Sequence, residues 1–151
     1  MSQHKLRIIP LGGLGEVGKN MMVYEYGHDI LVVDAGLMFP DNDMLGIDYI
    51  IPDFKYLVEN RARVRGIIIP HGHEDHTGAI HHLLEAVPAP IYATPLTRGL
   101  LEVKLARNGH TKYEINTVQA GQSIQIGPFK VEFFHVCHSI PDGVGLGITT
   151  P

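Results

Sequence analysis

Short apolar runs, separated by clusters of glycine, proline and polar residues, recur along the whole chain. Their length and their content of β-branched and aromatic residues are typical of β-strands. We predict strands at residues 5–9, 21–26, 30–34, 66–69, 91–93, 114–118, 123–126, 129–136 and 145–149. The run from Ile67 to Ile69 has no polar interruption, which indicates a strand that is buried on both faces.

Three segments between these strands carry helical signals. The first is a short helix capped by Asp53, and the second begins at Asp75, has the i, i+3, i+4, i+7 apolar spacing over residues 80–87 and ends before Pro88. The third spans residues 94–108, with threonine and proline at its start and glycine after its end. Strands mixed with helices predict a layered α/β fold in which helices cover a sheet.

The segment 70–78 follows the buried strand at 66–69 and contains three imidazoles and two carboxylates within six residues. Because side chains alternate in extended backbone, His71 and His73 point the same way and can bind one cation. If a helix begins at Asp75, the side chains of Asp75 and His76 project toward the same place and can bind a second cation. The H-x-H-x-D-H spacing therefore predicts a dinuclear metal site, the alternative being a histidine-rich loop without metal.

A third imidazole is expected near the end of the strand at 129–136. His135 and His138 lie on opposite faces by the period of two, and we favour His138 because the chain breaks just after it. His135 is predicted to be structural or exposed, and Cys137 to be a small buried hydrophobic residue.

Two further features have weaker signals. Asp34 ends an apolar strand, where a carboxylate either caps the next turn or orients metal-bound imidazoles; we place it as a support for the His71 and His73 loop rather than as a ligand. Residues 13–18 match the G-x-G-x-x-G dinucleotide fingerprint, but a strand at 21–26 follows where that fingerprint needs a helix. We therefore interpret the glycines as a tight loop that lets backbone approach substrate or metals.

Length and charge limit the other possibilities. The 151 residues are enough for one domain, or a piece of one, and the net charge of −4 gives no general attraction for nucleic acid. No apolar run approaches the roughly 20 residues that span a bilayer, and the first residues lack a secretory pattern. Together with a single cysteine, which excludes an intramolecular disulfide, these features favour a cytoplasmic protein.

With these residues in view, the sequence resembles the metallo-β-lactamase superfamily, whose signature is the histidine pattern that begins at His71. Within that superfamily it resembles the ribonuclease J family of the β-CASP group more closely. Five segments carry this likeness in order, at residues 10–20, 33–40, 51–54, 71–76 and 138–142.

The resemblance implies an αββα sandwich with two Zn²⁺ ions, in which His71, His73 and His138 hold one ion while Asp75 and His76 hold the other and contribute to catalysis. It also implies a cytoplasmic enzyme that degrades and matures RNA, including ribosomal RNA, with 5′ exonuclease and endonuclease activity, and that is a homo-oligomer at full length.

Members of that family are several times longer than this chain. Their bridging aspartate in a Gly-Asp-Phe segment, their β-CASP domain and their further histidine ligand have no counterpart in residues 1–151. We therefore expect the chain to be the N-terminal part of an incomplete metallo-β-lactamase domain that binds one Zn²⁺ or fewer and has little nuclease activity by itself. The alternatives are a thioester or lactam hydrolase of the same superfamily, a non-catalytic partner module, or a relative of ribonuclease Z or of the polyadenylation nucleases.

Overall fold

The computed structural model describes residues 5–151. Its strands are β1 (Leu6–Gly12), β2 (Met21–Tyr26), β3 (Asp29–Val33), β4 (Val64–Ile69), β5 (Ile91–Ala93), β6 (Ile115–Thr117), β7 (Ser123–Ile126), β8 (Phe129–His135) and β9 (Val144–Thr149). Its helices are α1 (Lys55–Glu59), α2 (Glu74–Thr77), α3 (Ile80–Ala86) and α4 (Pro95–Arg107), with a 3₁₀ turn at Arg61–Arg63. None of these helices has the length and apolar content needed to cross a membrane, as far as the described residues go.

The strands form two sheets. A six-stranded sheet has the order β1-β2-β3-β4-β5-β6, in which β1, β2 and β3 pair antiparallel and β3 to β6 pair parallel. A three-stranded antiparallel sheet follows with the order β7-β8-β9. The parallel strands alternate with helical connections, as such crossovers require.

Two apolar cores hold these layers together. One lies between the six-stranded sheet and the helices, where Ile67, Ile69, Leu83 and Leu101 are fully buried. The other lies between the two sheets, where strand β4 contributes Ile68. Because β4 is buried on both faces, it supplies both cores, as its uninterrupted apolar run predicts. Helices, large sheet and small sheet are stacked in the order expected for three of the four layers of an αββα sandwich.

The helix predicted from Asp75 to Val87 is not continuous. It divides into α2 and α3, with a break at Gly78 and Ala79. The Ala79 N–H donates to the carbonyl of Ala35 at 2.8 Å instead of to the Asp75 carbonyl four residues earlier. The single-helix prediction was therefore wrong, because a distant loop competes for the hydrogen bonds that would continue the helix.

Candidate metal centre

The site lies at the carboxyl end of β4, beside the ends of its parallel neighbours, which is where ligands bind in open α/β sheets. The chain leaves β4 through residues 70–73 and then enters α2. On the other side of the site, the segment between β8 and β9 returns toward this loop, and the Val144 N–H donates to the Pro70 carbonyl at 3.1 Å. This contact joins the small sheet to the histidine loop.

Three imidazoles from these two segments converge. His71, His73 and His138 each offer one ring nitrogen, and these nitrogens lie within 4.8 Å of one another. His73 Nδ1 is 3.1 Å from His138 Nε2, and the ring of His71 is edge-on to both neighbours, with centroid distances of 5.0 and 4.6 Å. Three nitrogen donors at this spacing are the usual protein ligands of a Zn²⁺ ion with an open position.

The ring nitrogen Nε2 of His71 is buried and has no hydrogen-bond partner among the described residues. A buried polar atom without a partner is costly in a folded protein unless something else satisfies it. Burial, followed by the charges of His76, His138 and His73, lowers the pKa of His71 to about 4. The imidazole is therefore neutral at physiological pH, which is the protonation state that a cation requires.

A second pair of ligand atoms lies next to this group. Asp75 Oδ2 is 3.3 Å from His76 Nε2, and the ring centroids of His71 and His76 are 4.1 Å apart. Both residues belong to the single turn of α2, so the strand-to-helix junction presents the two sets of donors side by side.

Asp34, directly after β3, contacts the ring of His76. Its Oδ1 lies 2.8 Å from His76 Nδ1, and its own N–H donates to the carbonyl of Ile68 at 2.9 Å. Burial lowers the pKa of His76, but the hydrogen bond and charge of Asp34 outweigh this effect and raise it overall, while burial raises the pKa of Asp34 itself. A proton held on Nδ1 leaves Nε2 free for a cation, which is the usual arrangement around metal-binding histidines.

Asn20 also reaches the site, although no sequence pattern predicts an individual role for it. Its side-chain Nδ2 donates to the carbonyl of Asp75 at 3.0 Å and to Asp75 Oδ2 at 3.2 Å, and it lies 3.4 Å from His76 Nε2. The only signal in the sequence is a polar residue between the glycine loop and β2, which is too common a feature to identify such a contact.

Backbone contacts hold α2 in place. The N–H groups of Ala35 and Leu37 donate to the carbonyls of His76 and Glu74, at 2.9 and 3.1 Å. Because a single helical turn leaves most of its carbonyls without partners inside the helix, the loop after β3 supplies a donor to His76 and a second donor to Glu74, whose carbonyl also accepts from the Gly78 N–H at 2.8 Å. These bonds also fix the direction in which the side chains of α2 project.

The loop that carries His138 is attached to the start of α4. Asp142 accepts hydrogen bonds through its carbonyl from Thr94 Oγ1 at 2.8 Å and through its carboxylate from the Leu96 N–H at 2.9 Å. A carboxylate at a helix N-terminus is stabilised by the free N–H groups there. Asp142 therefore anchors the return segment four residues beyond His138.

The five predicted metal ligands and Asp34, their predicted support, lie together in one region. Asp34 contacts His76 and not the loop of His71 and His73 directly. Their roles as ligands and support remain predictions. His135, at the end of β8, is exposed and outside the group. Cys137 is also exposed, so its prediction as a buried residue was wrong. It lies beyond the last paired residue of β8, where alternation no longer determines which side chains are buried.

An open cavity of about 420 Å³ adjoins the site. Its walls include the glycine loop and the loop after β3, and His73 and Asp75 form its edge. Phe39 also lines it and is 69% exposed. A ligand in this cavity would contact the candidate metal ligands and an aromatic ring at once.

Comparisons with known proteins agree with this architecture. A family model described as the metallo-β-lactamase superfamily matches residues 14–147. Ribonuclease J2 of Bacillus subtilis strain 168 is 47% identical over 146 residues, which are 96% of this chain and 26% of that protein. Ribonuclease J 1 of Streptococcus pyogenes serotype M3 is 44% identical over 155 residues, covering 100% of this chain and 27% of that protein.

Solved structures show the same fold at lower identity. The structure described as Rm3 metallo-beta-lactamase matches with a TM-score of 0.63 and 17% identity, over 95% of this chain and 54% of that chain. This likeness concerns the fold alone. The chain spans about a quarter of the length of the curated relatives named above. The family model, which matches most of the chain, establishes that this chain belongs to the metallo-β-lactamase superfamily.

Proposed function

We propose that this chain is the metal-binding part of a metal-dependent ribonuclease that hydrolyses RNA phosphodiesters in RNA maturation and decay. The observation that carries the proposal is the convergence of His71, His73 and His138 beside the Asp75 and His76 pair. The ribonuclease J relatives at 44–47% identity support RNA as the substrate. We further propose 5′ exonuclease and endonuclease activity, a cytoplasmic location and a homo-oligomer for the full-length protein.

The residues present fit Zn²⁺. His71, His73 and His138 would hold one ion. The strongest support is the buried Nε2 of His71, which has no hydrogen-bond partner within residues 5–151. Asp75 and His76 would hold a second ion through one oxygen and one nitrogen. Imidazole and carboxylate together suit zinc and its neighbours in the first transition row, and we propose zinc.

When bound, two divalent cations would supply a water of lowered pKa and positive charge for the phosphoryl oxygens. The protein's own groups set the geometry for this chemistry. Asp34 would hold the proton on His76 Nδ1, and the carboxylate oxygen of Asp75 that does not accept from Asn20 would accept a hydrogen bond from the attacking water. Phe39 offers an exposed ring on which a nucleobase can stack beside the reacting phosphate.

The 151-residue chain alone should have little nuclease activity. Its second set of donors, Asp75 and His76, contains two ligands, whereas zinc sites in proteins use three or four. We therefore expect the purified chain to retain one Zn²⁺ or fewer and to bind a second only weakly. Efficient turnover of 5′-monophosphorylated RNA by this chain would contradict that expectation.

The test of the function uses the intact gene product, assayed on 5′-monophosphorylated RNA and on a chromogenic lactam. We expect RNA cleavage without lactam turnover. Cleavage should be lost when His71 and His73 are both replaced by alanine, and it should persist in His135→Ala, which removes an exposed imidazole outside the group. Lactam turnover, or cleavage that survives the double substitution, would refute the proposal.

A further inference from the structure

Asn20 makes three contacts with one residue of the candidate metal centre. Its side-chain Nδ2 donates to both the carbonyl and the carboxylate of Asp75, and its backbone N–H donates to the same carbonyl at 3.1 Å. We propose that Asn20 is a positioning residue that orients the Asp75 carboxylate for the second cation. This inference depends on the proposed metal site and deepens it.

The hydrogen-bond inventory of the carboxamide favours this role. Nδ2 carries two hydrogens, and the two oxygens of Asp75 at 3.0 and 3.2 Å account for both. His76 Nε2, at 3.4 Å from Nδ2, then keeps its lone pair. Asn20 therefore directs Asp75 Oδ2 toward His76 Nε2 without occupying the nitrogen that a cation needs.

Asp75 needs such a partner because its side chain is 42% exposed. An exposed carboxylate rotates among several orientations, and holding it in one costs conformational entropy each time a cation binds. A hydrogen bond that already fixes the carboxylate removes this cost in advance. Hydrogen bonds of this kind to ligating carboxylates typically change metal affinity by about 10- to 100-fold.

The glycine loop before β2 provides the space for the Asn20 side chain. A Cβ atom at Gly13 would lie 2.4 Å from Asn20 Oδ1, and Gly13 has a positive φ of 86°. On the opposite side, the Gly36 N–H donates to the Asn20 carbonyl at 2.9 Å. The G-x-G-x-x-G pattern, which is not followed by a helix, thus has a local purpose: it brings the carboxamide against α2.

Asparagine is the residue type that this position requires. Aspartate has no N–H to donate and would place a second negative charge beside Asp75. Leucine has a similar shape but makes no hydrogen bond. These differences separate the positioning role from simple space filling.

The experiment is a Zn²⁺ titration of the whole 151-residue chain, monitored by NMR of the imidazole nitrogens. The titration continues beyond one equivalent of Zn²⁺. His71 reports the first cation and His76 reports the second. In Asn20→Ala and in the similarly shaped Asn20→Leu, we expect the second dissociation constant to rise by about 10- to 100-fold. The first should change by less than about twofold, since the His71, His73 and His138 group does not contact Asn20.

The matched control is Asn60→Ala. Asn60 is also a partly buried asparagine whose Nδ2 donates to a backbone carbonyl, that of Tyr56, but it lies outside the site. Neither dissociation constant should change in this variant. Asn60→Ala therefore separates loss of an asparagine hydrogen bond in general from loss of the contact with Asp75.

Several results would overturn the positioning role. One is an unchanged second dissociation constant in both Asn20 variants, and another is an equal rise of the first and second dissociation constants. The others are failure of both variants to fold and a parent chain in which the His76 signal shows no binding of a second cation. A parent chain that binds no cation at His71 would instead refute the proposed metal site itself. The two failures are therefore distinguishable.

Discussion

Replacement of Gly36 by alanine tests whether the loop after β3 must touch α2. A Cβ atom at this position would lie 1.6 Å from the carbonyl oxygen of Asp75 and 2.8 Å from the backbone nitrogen of Asn20. Contacts below 3.0 Å are essentially never seen for real Cβ atoms. Because both neighbours are backbone atoms, no side-chain rotation can relieve the clash, and the loop must move away from the helix.

The size of the effect follows from the hydrogen bonds that cross this contact. They are Asn20 N–H to Asp75 at 3.1 Å, Gly36 N–H to Asn20 at 2.9 Å and Leu37 N–H to Glu74 at 3.1 Å. Each contributes about 1 kcal/mol net, so their loss should lower the free energy of unfolding by about 3 kcal/mol. Residual overpacking would add to this figure.

The assay is urea denaturation of the purified chain, with Gly99→Ala as the matched control. Gly99 lies within α4, and a Cβ there would meet no atom of the described residues within 4 Å. The same substitution should therefore raise stability by about 0.5–1 kcal/mol, because glycine is a poor helix former. A Gly36→Ala chain within about 0.5 kcal/mol of the parent would refute the close packing of loop and helix.

One further prediction concerns Glu25, which lies in β2 beside the start of β4, at the opposite end of the sheet from the site, and another concerns the loop of His138. Burial alone would raise the pKa of Glu25, but hydrogen bonds from Tyr56 and Arg63 and nearby positive charge lower it overall. The ionised Glu25 therefore stabilises the folded protein fully above its unfolded-state pKa. This contribution is lost as the pH falls through the folded-state pKa. Glu25→Gln should lower the free energy of unfolding by about 2 kcal/mol at neutral pH and make that free energy depend less on pH in the acid range. Equal denaturant midpoints for the parent chain and Glu25→Gln at all pH values would contradict this. Asp142→Ala should weaken zinc binding by about 10-fold through loosening of the His138 loop, and unchanged calorimetric affinity would exclude that anchoring role.

The local parts of the site follow from the sequence because their geometry depends on neighbouring residues. His71, His73, Asp75 and His76 occupy one strand-to-helix junction, so alternation and the first helical turn are enough to predict their convergence. The bounds of β2, β5 and β7 are also as predicted, since each is a short run flanked by turn residues. His138 required only the observation that a strand ends beside it.

The remaining features depend on contacts between distant parts of the chain. Asn20 meets Asp75 across 55 residues, and no period in the sequence connects them. The break between α2 and α3 arises from the Ala35 carbonyl, which takes the N–H that would continue the helix. Local propensity describes what a segment prefers by itself, and here tertiary hydrogen bonds override it.

Calorimetric zinc titration of the parent chain and of its His138→Ala and His135→Ala variants tests whether the three imidazoles hold a cation. We expect the parent and His135→Ala each to bind one zinc ion tightly, and His138→Ala to bind it more than about 100-fold less tightly because a ligand is lost. A parent chain that takes up no zinc, or a His138→Ala chain that binds zinc as tightly as the parent, would refute a cation site formed by His71, His73 and His138.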